Sequence, residues 1–120
     1  MINFSYHNPT RIIFGAGQLS QLPKEAAQIG KRPLLMFGKS SAKKSGLSDK
    51  AESLLKEAGL APVSFFGVEP NPRTTTCDAA SELARANNCD MIVAVGGGSV
   101  MDAAKLTAVS AITGNCGWDY

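Results

Sequence analysis

The sequence predicts an α/β fold, in which a mainly parallel sheet carries helices on both of its faces. The first observation is that short apolar runs alternate with longer segments whose apolar residues recur at helical spacing. The second is that glycine-rich turns follow several of these runs, as they do where a strand leads into a helix. Together they indicate βαβ units, and 120 residues suit one domain, 1–120.

Strands are predicted where β-branched, aromatic or continuous apolar residues run for about five positions. The first is expected at the edge of the sheet, as an N-terminal strand or hairpin, and the second is expected to be covered on both faces. In chain order, the predicted strands are Arg11–Phe14, Pro33–Phe37, Pro62–Phe66 and Met91–Val95.

Helices are predicted where apolar side chains recur every three or four positions. Asp49, followed by Glu52, resembles a capping box, and a glycine follows two of the predicted helices as a C-terminal cap. The polar stretch Gly38–Gly46 is expected to be a loop, and the prolines of Gly67–Pro72 keep that segment extended or turning. In chain order, the predicted helices are Gln18–Ile29, Asp49–Ala58, Thr75–Asn87 and Val100–Thr113.

The composition excludes several classes of function. Twelve Lys and Arg against ten Asp and Glu leave a formal charge of +2, which is too small to indicate a nucleic-acid or membrane partner. No apolar run is long enough to span a bilayer, and the N-terminus is not that of a signal peptide. Three cysteines without CxxC spacing indicate reduced thiols in a cytoplasmic protein, and the single histidine, His7, cannot build a multi-histidine metal site.

Two glycine-rich segments imitate nucleotide-binding motifs without completing them. Gly15–Ser20 has the first glycines of a dinucleotide fingerprint, but Ser20 stands where the third glycine belongs, so a plain turn is favoured over cofactor binding. Gly38–Ser40 imitates the end of a nucleoside-triphosphatase phosphate loop. Because Pro33 stands where the first glycine of that motif belongs, this second interpretation is rejected.

The third glycine-rich segment is the predicted ligand site. Gly96, Gly97 and Gly98 lie between a buried strand and a helix, so the backbone turns without a Cβ atom and a bulky anion can approach its amides. The helix start adds unpaired N–H groups and the positive end of its dipole, which favour phosphate. Ser99 suits either a helix cap or a phosphate ligand, and Asp102 suits the amides or a ribose hydroxyl. The alternative is a tight corner with an exposed Asp102–Lys105 pair.

The segment Gly96–Lys105 resembles the GGGSxxDxAK signature of the iron-containing (group III) alcohol dehydrogenases. The resemblance extends along the chain. Asn8–Gly17 is similar to the family's opening, Glu69–Pro72 matches its E-x-N-P turn, and Trp118–Tyr120 matches its W-D-Y stretch. Because the four segments fall in the family's order, the resemblance is more specific than any single glycine loop.

The resemblance implies a Rossmann-like dinucleotide-binding domain, followed in the family by a helical domain that holds a divalent metal, iron or zinc, through one aspartate and three histidines. The metal polarises an alcohol or aldehyde while hydride passes to or from the nicotinamide. By this resemblance the chain is the cofactor-binding part, without a metal ligand or catalytic residue, and inactive alone. The resemblance implies that the pyrophosphate is bound by Gly96, Gly97, Gly98 and Ser99. It also implies that Asp102 lies on the nicotinamide side and that Asn71 lines the adenosine region.

The end of the second predicted strand favours NADP(H) over NAD(H). Many relatives end this strand with an aspartate, which bonds both ribose hydroxyls and repels a 2′-phosphate. Here Gly38 occupies the position, and the first acidic residue after it is Asp49. Gly38 therefore makes room, and Lys39, Ser40 and Ser41 are candidate ligands of the 2′-phosphate, because hydroxyl and ammonium groups favour a dianion. The alternative is a solvated basic loop.

The resemblance also implies a homodimer in which early strands of the two subunits pair. Ile2, Phe4 and Tyr6 on alternate positions suit an edge that needs covering. The sequence thus predicts the cofactor-binding part of a metal-dependent oxidoreductase that transfers hydride between NAD(P)(H) and a small alcohol or aldehyde. Two alternatives stay open: a non-catalytic module that binds a phosphate or nucleotide, and an enzyme similar to glycerol dehydrogenase or dehydroquinate synthase.

Overall fold

The central strand β1, Pro33–Gly38, lies between β2, Val63–Val68, and β3, Met91–Val95, in a parallel three-stranded sheet. The computed structural model describes residues 1–120. Leu34 is in register with Val63 on one side and with Ile92 on the other. Residues 33–37 are buried, which confirms the prediction of a strand covered on both faces.

Successive side chains of β1 enter two separate hydrophobic cores. Leu34 and Met36 pack with buried residues of α4 and α5, whereas Leu35 and Phe37 pack with those of α1, α2 and α3. This is the twofold alternation of a strand, and it places helices on both faces as predicted. The helices are α1 (Leu22–Ala27), α2 (Ser41–Lys44), α3 (Leu47–Glu57), α4 (Thr74–Ala86) and α5 (Gly98–Thr113).

The prediction of an N-terminal edge strand or hairpin at Arg11–Phe14 is wrong for this structure. Residues 1–14 contain no strand or helix and are exposed, and Ile2 and Phe4 retain 90% and 88% of their accessible surface. A strand forms only where its N–H and C=O groups meet those of a neighbour, and no strand of the sheet pairs with this segment. Arg11 forms an exposed ion pair with Glu25 at 3.1 Å.

Two helix starts also differ from the prediction. The first predicted helix is divided into a 3₁₀ turn, Gln18–Gln21, and the short α1, because Pro23 lacks an amide donor and is tolerated only in a first helical turn. The second, α3, begins after Gly46 in a left-handed conformation and has no side-chain cap, so the capping box at Asp49 and Glu52 is wrong. The Glu52 carboxylate instead accepts hydrogen bonds from Lys56 and Ser64.

The three cysteines carry free thiols. Cys77 is buried, Cys89 is partly buried and Cys116 is exposed, and burial raises the pKa of the first two. None of the helices combines the length and the apolar character that crossing a bilayer requires.

Asp90 ties the start of β3 to the start of β1. Its carboxylate oxygens accept hydrogen bonds from the backbone amides of Lys31, at 2.9 Å, and Arg32, at 2.8 Å. The amide of Lys31 above all, and then that of Arg32, hold the pKa of Asp90 below its ordinary value. Gly30 lies so close to this carboxylate that a side chain there would overlap it.

We expect Asp90→Asn to destabilise the protein by about 1 kcal/mol at neutral pH, a value that allows for the solvent exposure of the carboxylate. Because the pKa is lowered in the folded state, the charged carboxylate stabilises the fold above its ordinary pKa and loses this effect as the pH falls through the folded value. Thermal unfolding at neutral pH and near pH 3 should show a difference between the proteins that shrinks in acid. Glu82→Gln, at an exposed carboxylate without a hydrogen bond, is the control. A difference independent of pH would contradict the role of the charge.

Candidate functional site

A cleft of about 410 Å³ lies at the carboxyl ends of the strands, where the connections of the sheet diverge. The chain leaves β1 toward α2 and α3 on one face of the sheet, and it leaves the adjacent strand β3 toward α5 on the other. Loops that separate in this way leave a crevice, which is the usual ligand position in an open parallel sheet. The cleft is lined by the turns after all three strands.

The glycines after β3 have two different roles in the structure. A Cβ atom on Gly96 would lie 2.7 Å from Cγ2 of Val100, so this glycine allows the strand and the start of α5 to approach each other. Gly97 and Gly98 are exposed and line the cleft, and a Cβ atom on either would meet no atom within 4 Å. Gly96 is therefore required by packing, whereas Gly97 and Gly98 keep a backbone surface open.

The first turn of α5 presents amide donors beside this open surface. The carbonyl of Gly97 accepts hydrogen bonds from the amides of Val100, at 3.1 Å, and Met101, at 3.2 Å. The amides of Gly98 and Ser99 precede the first intrahelical donors and have no acceptor within the helix. The helix cap is Gly97 and uses no side chain, so the Ser99 hydroxyl is not a helix cap. These groups and the positive helix end can accommodate an anion.

The loop after β1 forms the opposite side of the same cleft. Gly38, Lys39, Ser40 and Ser41 all line it, so the structure brings the predicted 2′-phosphate group and the glycine corner together. Ser41 begins the short helix α2, in a stretch that the sequence predicts to be a loop. Lys43 does not line the cleft, and its ammonium lies 4.5 Å from the centre of the Phe66 ring.

Asn71 lines a second cleft, of about 720 Å³, in the turn after β2. Lys39 and Pro70 line both clefts, so the two adjoin. Glu69 also lines the second cleft, although it is not among the site residues predicted from the sequence. Its own backbone amide and then the Thr76 hydroxyl hold the pKa of Glu69 below its ordinary value. The seven-residue spacing of Glu69 and Thr76 gives no local motif from which this contact could be read.

Two predicted site residues do not line either cleft. Gly96 is exposed but outside the lining of both clefts, and Asp102 is exposed on α5 with its carboxylate 3.4 Å from Nζ of Lys105. Across the 120 residues, no three His, Cys, Asp or Glu side chains converge as metal ligands, so these residues do not fit a divalent metal site. The arrangement is that of an α/β protein with an open crevice at its switch point, whose chemistry suits an anion.

The chain belongs to the iron-containing alcohol dehydrogenase family, whose model matches residues 9–120. Among curated relatives, the probable NADH-dependent butanol dehydrogenase 2 of Bacillus subtilis (strain 168) is 45% identical over 119 residues, which are 99% of this chain and 30% of that protein. The NADPH-dependent aldehyde reductase YqhD of Escherichia coli (strain K12) is 40% identical over 111 residues, 92% of this chain and 28% of that protein.

The solved structures agree with this assignment. An archaeal halo-thermophilic alcohol dehydrogenase from a Red Sea brine pool, ADH/D1, superimposes with a TM-score of 0.92 at 37% identity, over 100% of this chain and 31% of that one. The family resemblance and the Rossmann-like fold are thereby confirmed. The chain spans about 30% of the length of the curated relatives it matches.

We expect Gly97→Val or Gly98→Val to weaken dinucleotide binding by the full-length protein at least about tenfold, because a branched side chain would fill the surface on which the amides are accessible. Binding can be followed by the fluorescence of NADPH, with circular dichroism as the check that helix content is retained. Met101→Val, at an exposed position of the same helix outside the cleft, is the matched control. Unchanged affinity in both glycine variants would reject this corner as the binding surface.

Proposed function

We propose that this chain is the dinucleotide-binding part of a metal-dependent oxidoreductase that transfers hydride between NAD(P)(H) and a small alcohol or aldehyde. The observation that carries the proposal is the cleft at the switch point, where the open backbone of Gly97 and Gly98 faces the polar loop after β1. The family membership and the names of the relatives support the reaction class. The supporting relatives are about three times as long as this chain, so the activity is proposed for the whole protein.

The residues of this chain bind and orient the cofactor in the proposal. The amides of Gly98 and Ser99 donate to the pyrophosphate, and the Ser99 hydroxyl adds a third donor. Gly96 contributes indirectly, by allowing the corner to close. Asn71 borders the adenosine, and Asp102 lies on the nicotinamide side. When bound, the dinucleotide supplies the hydride donor or acceptor.

The divalent metal of the proposal, iron or zinc, is assigned to residues outside these 120. The support is chemical, because this chain gathers no set of three ligating side chains. No catalytic or metal-ligating role is assigned to any residue of the chain, including His7.

The proposed cofactor preference is NADP(H) over NAD(H). Lys39, Ser40 and Ser41 line the cleft beside Gly38, and the carboxylate nearest along the chain, Asp49, lies one helix further on. A loop with hydroxyl and ammonium groups but no acid favours the 2′-phosphate. The names of the relatives are divided, since the Bacillus butanol dehydrogenase is described as NADH-dependent and the Escherichia reductase as NADPH-dependent.

The homodimer and the cytoplasmic location also stay proposals. The dimer is supported by the exposed N-terminal segment, where Phe4 and Tyr6 keep 88% and 78% of their surface and no strand of the same chain pairs with them. The cytoplasmic location is supported by the three free thiols.

The full-length protein should oxidise NADPH or NADH when it is given a short-chain aldehyde, and the absorbance of the reduced nicotinamide measures this. A chelator should abolish turnover, and added divalent metal should restore it, because a bound divalent metal would supply the Lewis acid for the carbonyl. Gly97→Val should lower turnover at limiting cofactor through its weakened cofactor binding. A full-length protein that binds the dinucleotide but turns over no alcohol or aldehyde, with or without metal, would favour the non-catalytic module.

We expect Gly38→Asp to lower the ratio of the NADP(H) and NAD(H) efficiencies (kcat/KM) by about tenfold or more, because a carboxylate there repels the 2′-phosphate and accepts bonds from a free ribose. The position has room, since a Cβ atom would make ordinary contacts of 3.7 Å with the Val68 carbonyl oxygen and 3.9 Å with Val100. Gly38→Asn tests the same shape without the charge. An equal ratio of the two efficiencies in Gly38→Asp and the wild type would contradict the assignment of the 2′-phosphate to this loop.

A further inference from the structure

Asn71 has a backbone conformation that the sequence around it disfavours. Its φ angle is +53°, in the left-handed region, which asparagine adopts more readily than most residues other than glycine. It also precedes Pro72, and a residue before proline is driven toward an extended conformation. Because this conformation is disfavoured before proline, something in the surroundings of Asn71 has to hold it. The residue also lines the second cleft.

The carboxylate of Glu69 closes the turn around Asn71. Both of its oxygens accept the Thr76 hydroxyl, at 2.9 and 3.0 Å, and Oε1 also accepts the backbone amide of Arg73, at 3.3 Å. These bonds join a residue before Asn71 to two residues after it. They also place a negative charge at the start of α4, where the capping residue Arg73 contributes no side-chain bond.

We propose that Glu69 and Thr76 are positioning residues that hold Asn71 in place for the nucleotide, an inference that rests on the proposed dinucleotide site. The oxygens of Glu69 accept hydrogen bonds from Thr76 and Arg73, so this carboxylate fixes the two ends of the turn. The lowered pKa of Glu69 agrees with a carboxylate that stays charged in this contact. The ligand contacts Asn71, and the Glu69–Thr76 pair acts through it.

The test begins with Thr76→Val, which keeps the shape of the side chain and removes its hydroxyl donor. In the full-length protein we expect the dissociation constant for NADPH to rise about tenfold, with Thr76→Ser restoring most of the affinity. Thr75→Val is the matched control, because Thr75 is exposed in the same helical turn and does not bond to Glu69. Circular dichroism and thermal unfolding report whether each variant is folded.

A double-mutant cycle with Asn71→Ala separates positioning from general stability. If Thr76 acts through Asn71, then Thr76→Val has no further effect on affinity in the Asn71→Ala protein. Additive losses, or an unchanged affinity of Thr76→Val beside a weakened Asn71→Ala, would overturn the positioning role and leave the nucleotide site standing. An unchanged affinity of Asn71→Ala overturns the positioning role together with the Asn71 contact. Failure of the wild-type protein to bind any nicotinamide dinucleotide overturns the proposed function itself.

Discussion

The position of every group at the cleft depends on the burial of β1 on both faces. Leu34 and Met36 anchor the sheet to α4 and α5, and Leu35 and Phe37 anchor it to the helices of the other face. A strand that is fixed on two sides gives its carboxyl end a defined place, and its neighbours are held to it in register. The polar loops at that end can therefore stay solvent-exposed without losing their relative positions.

The glycine corner shows how packing and ligand access are divided between neighbouring residues. Gly96 has no room for a side chain because Val100 lies against it, while Gly97 and Gly98 have room and leave it unfilled. A tight strand-to-helix turn explains the first glycine alone. The other two satisfy no packing need within the chain, and an open backbone beside a helix start is suited to an anion. Gly97 and Gly98, and not Gly96, are therefore the glycines that indicate a ligand.

The sequence was informative where burial determines the structure and less so where a partner residue determines it. The strand Met91–Val95 and the buried β1 could be predicted because continuous apolar runs allow few alternatives. The prediction of an N-terminal strand was wrong, because the β propensity of Arg11–Phe14 is not enough to form a strand where no neighbouring strand pairs with it. The loop residues of the cleft were found from strand ends and glycines. Glu69 was missed, because its role depends on a contact with Thr76 that forms only when the turn folds.

The proposed preference for NADP(H) rests on the whole loop after β1, because no single charge in it is sufficient. Lys39 is exposed and lies at the junction of both clefts, near enough to Glu69 to contribute to its lowered pKa. An exposed ammonium of this kind is worth little by itself in water, and its charge is shared with that carboxylate. The proposed discrimination between the two cofactors therefore uses the hydroxyls of Ser40 and Ser41 together with the absence of an acid at Gly38. Relatives at 45% and 40% identity to this chain have names that give different cofactors, so overall similarity does not set the preference and the loop itself has to be tested.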